Sequence, residues 1–221
     1  MHNLFKIKQM IEQKIIIFLN GELPPLRVIS KFCMKGSYII CADGGANGLT
    51  GTKIIPNIIL GDLDSLKPSA RMYFSRKNVE IRRIQDQETT DFEKALLYCI
   101  EMNLNNITVF GAASSRPDHT INNFSVLKRY SKTLDIRIID KEFEIYYINK
   151  RTAFAYRKGH TVSLMPMPSA GGITTKGLKY KLKNESLGLG TREGTLNVSI
   201  ANNISIEFKK GSLLLFKKHF I

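Results

Sequence analysis

Tyr38-Ile39-Ile40-Cys41-Ala42-Asp43-Gly44-Gly45 is a short apolar run that breaks off at an aspartate and two glycines, and Ile58-Ile59-Leu60-Gly61-Asp62-Leu63-Asp64-Ser65 repeats the pattern. Neither run alternates cleanly, as expected for parallel strands covered on both faces. Outward from these, Ile15–Leu19, Val79–Ile84, Ile107–Phe110 and Ile136–Asp140 have the same texture. Helical patterns lie between them. The clearest is Asp91–Met102, where Phe92, Ala95, Leu96, Cys99 and Ile100 make one apolar stripe. Thr90 and Glu93 have capping-box spacing at its start. A second helix is expected over about Thr120–Ser131. Strands alternating with helices imply an α/β layer architecture with right-handed crossovers.

After about residue 145 the texture changes. Ala153–Tyr156, Thr161–Leu164, Gly172–Thr175, Leu196–Ile200, Ile204–Phe208 and Leu213–Phe216 are short runs separated by Gly, Asn or Lys turns. Val198 and Ile200, then Ile204, Ile206 and Phe208, alternate across Asn202-Asn203, which predicts a tight hairpin there. Two domains follow: a parallel-sheet α/β nucleotide-binding domain over 1–145, and a small antiparallel β-sandwich over 146–221. The second is too small to bury a generous core and is expected to lean on a neighbour or a second subunit.

Composition narrows the function classes. With 43% hydrophobic residues the 221-residue chain buries real cores rather than staying disordered. The apolar run Ile15–Leu19 is far short of the roughly 20 residues of a membrane span. It leads into Asn20-Gly21-Glu22 without a small-residue cleavage pattern, so neither membrane nor signal peptide is expected. Cys33, Cys41 and Cys99 are widely spaced and odd in number, which reads as reduced thiols in a cytoplasmic protein. The 33 Lys and Arg against 19 Asp and Glu leave a charge of +14. These bases are dispersed, with only short pairs such as Lys209-Lys210, so no nucleic-acid partner is expected. A basic field still favours a polyanionic small molecule such as a nucleotide.

The acids carry the chemistry. Asp43, Asp62 and Asp64 directly follow predicted strands, and ligands of open α/β sheets bind outside the carboxyl ends of strands. Any one Asp taken singly reads first as a turn former or helix cap. Grouped at strand ends, they point to a metal–phosphate site, since Mg²⁺ takes one or two carboxylates plus substrate phosphates. Asp62 and Asp64, at i and i+2 of an extended chain, are expected to face the same way. Gly44, Gly45 and Gly61 remove side chains where a phosphate would approach backbone N–H groups. Asp91 falls in the first turn of a helix, where an acid also simply suits the helix dipole. Arg116 fits a bidentate phosphate contact, and Asp118 is placed to orient His119.

Taken in order, Asp43-Gly44-Gly45-Ala46-Asn47, Gly61-Asp62-Leu63-Asp64-Ser65, Thr90-Asp91-Phe92-Glu93-Lys94-Ala95-Leu96 and Arg116-x-Asp118-His119-x-x-x-Asn123 resemble the motifs of thiamine pyrophosphokinases. Asn20-Gly21-Glu22, Lys176-Gly177-Leu178-Lys179-Tyr180 and Gly194-Thr195-Leu196-Asn197 extend the resemblance over roughly residues 15–216. It implies transfer of the pyrophosphoryl group of ATP to the hydroxyl of thiamine, releasing AMP. It also implies a homodimer with thiamine held between subunits. Asp43, Asp62, Asp64 and Asp91 would be catalytic, the first three as ligands of Mg²⁺. ATP would meet Asn20, Gly44, Gly61, Ser65 and Thr90, and further along Arg116, Asp118, His119 and Asn123. Thiamine would meet Gln87, Tyr180, Thr195 and Asn197, the tyrosine offering a ring face. The competing expectations are a pyrophosphokinase acting on a pterin-like alcohol, a phosphatase or nuclease built on Asp62-x-Asp64, and a basic nucleic-acid-binding module.

Overall fold

The computed structural model describes residues 13–113 and 116–220, and the chain divides into two compact units between Lys141 and Glu142. Ser114 and Ser115, in the loop before Arg116, lie outside the described residues.

The first unit contains β1 (Ile15–Phe18), β2 (Tyr38–Ala42), β3 (Ile58–Gly61), β4 (Glu80–Arg83), β5 (Ile107–Phe110) and β6 (Ile136–Ile139). Every neighbouring pair is parallel, in the order β4-β3-β2-β1-β5-β6. The chain therefore works from β1 out to one edge, then returns to the far side of β1. That makes the β1–β5 boundary the point where the direction of winding reverses, and the crevice at such a point is where α/β sheets take ligands.

The helices are α1 (Leu26–Phe32), α2 (Pro68–Ser75), α3 (Asp91–Glu101) and α4 (Pro117–Tyr130), with a 3₁₀ segment at Asp43–Leu49. Ile16, Phe18, Cys41, Ile59 and Phe110 of the strands pack with Val28 and Ile29 of α1 and Ala70 and Phe74 of α2. The Phe18 and Phe110 rings stack at 5.3 Å. The apolar stripe of α3 buries Phe92, Ala95, Leu96 and Cys99, as its spacing predicts, whereas Ile100 is left exposed. Thr90 caps α3 by accepting from Glu93 N–H at 3.3 Å. The reciprocal half of the expected capping box does not form. The Glu93 carboxylate instead turns to Arg129 and to the Tyr130 hydroxyl, tying α3 to α4.

The second unit is antiparallel. Its strands are β7 (Phe143–Tyr147), β8 (Arg151–Ala155), β9 (Thr161–Lys176), β10 (Lys183–Gly188), β11 (Gly194–Val198), β12 (Asn203–Glu207) and β13 (Lys210–Lys218). The expected runs Thr161–Leu164 and Gly172–Thr175 are two ends of the single strand β9, which pairs with β10, β11, β12 and β13. The hairpin expected across Asn202-Asn203 is not formed. β11 pairs with β9, while β12 pairs with β8 and the far end of β9. Ile200 accordingly points outward, 49% exposed, whereas Ile204 and Ile206 are buried. Alternation identified β11 and β12 as strands, but long-range pairing chose their partners, and β7 and β10 were not among the expected runs.

Candidate active site

Parallel register brings the acids together. Ala42 of β2 pairs with Leu60 of β3, so Asp43 and Gly61-Asp62 leave the sheet side by side. Asp43, Asp62 and Asp64 each place a carboxylate oxygen within 4.8 Å of the others. Asp43 is buried, and its Oδ2 accepts from Ser65 N–H at 3.0 Å. Its Oδ1 is buried without any hydrogen-bond partner. An unsatisfied buried carboxylate oxygen is costly, and the ligand atoms grouped with it are the carboxylate oxygens of Asp62 and Asp64, which is the ligand chemistry of a hard divalent cation. Burial raises the Asp43 carboxyl above the ordinary range, against the pull of the Ser65 N–H, and nearby Asp91 adds to the rise.

The pair Asp62-x-Asp64 is not extended, contrary to expectation. Leu63 lies in the left-handed region at φ 66°, and Asp64 N–H turns back to donate to Asp62 Oδ1 at 3.2 Å. The two carboxylates converge through this turn rather than through strand periodicity.

Asp91 opens α3 and is likewise raised by burial, with Lys94 pulling the other way and Asp62 pushing up. The ammonium of Lys94 is buried, 3.4 Å from Asp91 Oδ1 and 3.7 Å from Asp62 Oδ2. Lys94 was not among the residues expected at the site. Its signal was its place one turn after Asp91, where an i,i+3 pair meets on a helix. Gly61 makes the close packing possible: at φ 146°, an added Cβ would fall 2.9 Å from Asp43 Cβ and 3.0 Å from Asp91 Oδ1. Gly44 is pressed against Asn20, whose Cγ an added Cβ would approach to 2.5 Å.

A cleft of about 1070 Å³ opens at the carboxyl ends of β1 and β5, lined by Asn20, Asp62, Ser65, Thr90, Asp91, Lys94, Gly111, Arg116, Asp118, His119 and Asn123 among others. It lies where the winding reverses. Asn123 donates to the Ala112 carbonyl at 2.8 Å, fixing α4 to the loop after β5. Asp118 does not serve His119 as expected. Its carboxylate takes the Arg116 guanidinium at 2.6 and 3.3 Å, and that ion pair holds the Asp118 carboxyl below the usual range. Gln87 is exposed and, unlike Thr89 and Thr90, is not part of the cleft lining.

The remaining expected residues belong to the second unit. Tyr180 is 61% exposed, and Thr195 is exposed. Asn197 is buried and engaged with backbone: Oδ1 accepts from Tyr180 N–H at 3.0 Å and Val198 N–H at 2.9 Å, and Nδ2 donates to the Tyr180 carbonyl at 2.7 Å. Its amide therefore holds the Tyr180 backbone in place.

A parallel α/β unit with grouped carboxylates beside a cleft at the winding reversal defines the class: an α/β protein with an acidic ligand site at its strand ends. Comparison with known proteins specifies it further. Residues 29–139 match the family described as thiamin pyrophosphokinase, catalytic domain, and residues 145–213 match thiamin pyrophosphokinase, vitamin B1 binding domain. The chain belongs to the thiamin pyrophosphokinase family and is an enzyme that forms thiamine diphosphate from thiamine. It is similar to thiamine pyrophosphokinase 1 of Oryza sativa subsp. japonica, 29% identical over 212 residues, covering 83% of this chain and 79% of the rice protein. Thiamine pyrophosphokinase of Bacillus subtilis is 29% identical over 188 residues, covering 80% of this chain and 86% of its own. The crystal structure of thiamine pyrophosphokinase from Bacillus subtilis superposes with a TM-score of 0.82 at 25% identity, over 94% of this chain and 100% of that one. Yeast thiamin pyrophosphokinase shares the fold, with a TM-score of 0.80 at 21% identity, over 97% of this chain and 90% of that one.

Proposed function

We propose that the enzyme transfers the pyrophosphoryl group of ATP to the hydroxyl of thiamine, giving thiamine diphosphate and AMP, with Mg²⁺ held by Asp43, Asp62 and Asp64. The observation that carries this reading is the buried, unpartnered Asp43 Oδ1 grouped with two further carboxylates beside the cleft. A divalent ion there would supply positive charge to phosphate oxygens as negative charge builds on them.

The chain's own residues do the rest. Arg116 and His119 line the cleft as groups suited to phosphate and nucleotide contacts. Asp91, facing the cleft with a carboxyl made more basic by burial, suits acceptance of the hydroxyl proton. The thiamine oxygen forms a bond to the β-phosphorus of ATP. The bond from that phosphorus to the oxygen shared with the α-phosphate breaks, and AMP leaves with the electron pair. Lys94 offsets part of the carboxylate charge that would otherwise repel the polyphosphate.

In this reading the antiparallel unit, taken as a small sandwich, receives the thiamine ring at Tyr180 in a homodimer. The exposure of Tyr180 (61%), Leu196 (76%) and Ile200 (49%) on that unit supports a covered face. Incubation with ATP, Mg²⁺ and thiamine should yield AMP and thiamine diphosphate in equal amounts. ADP with thiamine monophosphate would overturn the pyrophosphoryl reading, and turnover of a pterin alcohol in place of thiamine would overturn the substrate. A fully active sample with a light-scattering mass of 25.0 kDa would overturn the dimer.

A further inference from the structure

The segment that carries Asp62 and Asp64 runs from the end of β3 to the start of α2, with neither a strand ladder nor a helix to hold it. Its fixed point is Ser65. The Ser65 N–H donates to Asp43 Oδ2 at 3.0 Å, and its hydroxyl donates to Asp64 Oδ1 at 3.0 Å. On the other side of the same residue, Asn47 Nδ2 donates to the Ser65 carbonyl at 2.9 Å, while Asn47 Oδ1 accepts from Lys67 N–H at 3.0 Å. Asn47 and Asp43 belong to one 3₁₀ segment, Asp43–Leu49, so a single rigid turn grips the loop from two directions.

The grip has something to oppose. Three carboxylates lie within 4.8 Å of one another, and like charges at that spacing push their carriers apart. Both Asp43 and Leu63 are in the left-handed region, at φ 45° and 66°, a conformation that non-glycine residues keep only where surroundings impose it. The amide of Asn47 makes no contact with the carboxylates in this set of bonds; it acts on backbone at Ser65 and Lys67.

We infer that Asn47 is a positioning residue for the metal site: its two-pronged amide holds the Asp62–Ser65 loop closed against carboxylate repulsion, so that the three acids remain within reach of one cation. The inference rests on the reading of those acids as metal ligands. Residues that orient ligands without touching the metal typically account for about 10- to 100-fold in metal affinity.

The test is Mn²⁺ binding to the full-length protein without nucleotide, followed by the magnetic resonance signal of free Mn²⁺. Asn47→Ala should weaken Mn²⁺ by about tenfold or more. The melting temperature in chelator should hardly move, because the lost bonds are exposed to water. In turnover, Asn47→Ala should need correspondingly more Mg²⁺ yet regain its rate at saturating Mg²⁺, a rescue that a general loosening of the fold would not give. Asn47→Asp provides a second arm should the alanine variant fail to fold. It keeps an acceptor for Lys67 N–H but loses the donor to Ser65, and its added charge alone would tighten a cation. Weaker Mn²⁺ binding by Asn47→Asp supports the clip, and equal or tighter binding overturns it. Mn²⁺ affinity of Asn47→Ala within twofold of the wild type overturns the inference while leaving the metal reading standing. Failure of the wild type to bind Mn²⁺ overturns the metal reading itself, and the inference with it.

Discussion

The two units solve the problem of presenting a surface in opposite ways. In the first, strands and site are separable along the chain: Ala42 and Leu60 belong to the sheet, whereas Asp43 begins the 3₁₀ turn and Asp62 the loop just beyond it. Side chains at such loop positions can be devoted to chemistry because the sheet stands without them. In the second, the long strand β9 pairs with each of β10, β11, β12 and β13, and even the loop carrying the exposed Tyr180 is pinned by the buried amide of Asn197. There, shape and presentation share the same residues. Activity and stability should therefore come apart under mutation in the first unit, and only partly in the second.

The widest separation is expected at Asp62. Asp62→Asn should lose most activity, on the order of a hundredfold or more, because the charge it removes acts on a highly charged transition state. Its melting temperature should stay close to wild type, since the side chain is 36% exposed and its ion pair with Lys94 is long, at 3.7 Å. Steady-state kinetics beside a thermal melt checks both halves. Activity within a few-fold of wild type would remove Asp62 from the chemistry.

In the second unit, Tyr180 and Asn197 form the sharper pair. Tyr180→Ala should raise the thiamine KM roughly five- to hundredfold by loss of a ring face, leaving the ATP KM unchanged. Its stability should shift by no more than about 0.5 kcal/mol, as for other exposed positions. Asn197→Ala leaves two backbone donors and one carbonyl without partners and should cost about 1–3 kcal/mol of stability by denaturant unfolding. A Tyr180→Ala variant that weakens both substrates equally would make the tyrosine structural, and the contrast between the two residues would collapse.

The smallest effect is on pH. Burial raises the carboxyl groups of Asp43 and Asp91 in the folded chain. Between the ordinary carboxylate range and those raised values, the folded state binds more protons than the unfolded state, so stability falls as pH rises through that window. These two groups should make the metal-free protein gain stability on acidification across it. Asp43→Asn, followed by thermal melts in chelator, should flatten that dependence.

Legibility in the sequence divided along the same line. Tyr38–Ala42 and Ile107–Phe110 match their strands end to end, and Asp91–Glu101 ends one residue short of its prediction. Their apolar periods are local. α1 and α2 went unseen because each is short and lacks a side-chain cap, the one available cue being Pro68 at the first helical position of α2. The 3₁₀ turn Asp43–Leu49 is rich in glycine and gives no propensity signal. In the second unit, Pro166 and Pro168 lie between the two expected strands, yet β9 runs through them and its pairing with β13 spans both, from Val162 to Gly171. At the site, strand-end position identified the acids. The grip of Asn47 on Ser65 depends on a turn and a loop meeting across the fold, and the burial of Lys94 depends on α3 docking beside the acids; no local pattern encodes either.

That lysine bears on the order in which the enzyme comes into being. A pocket of bare carboxylates would tie the closing of the fold to the arrival of a metal ion. Here α3 brings its own ammonium into the acid cluster as the helix docks, 3% exposed and within reach of Asp62 and Asp91. If Mg²⁺ is held there as proposed, assembly and charging become separable events. The proposed metal ion would then be dispensable for folding: a newly made chain should reach its final shape without it, and a chelator should strip it without dismantling what surrounds it.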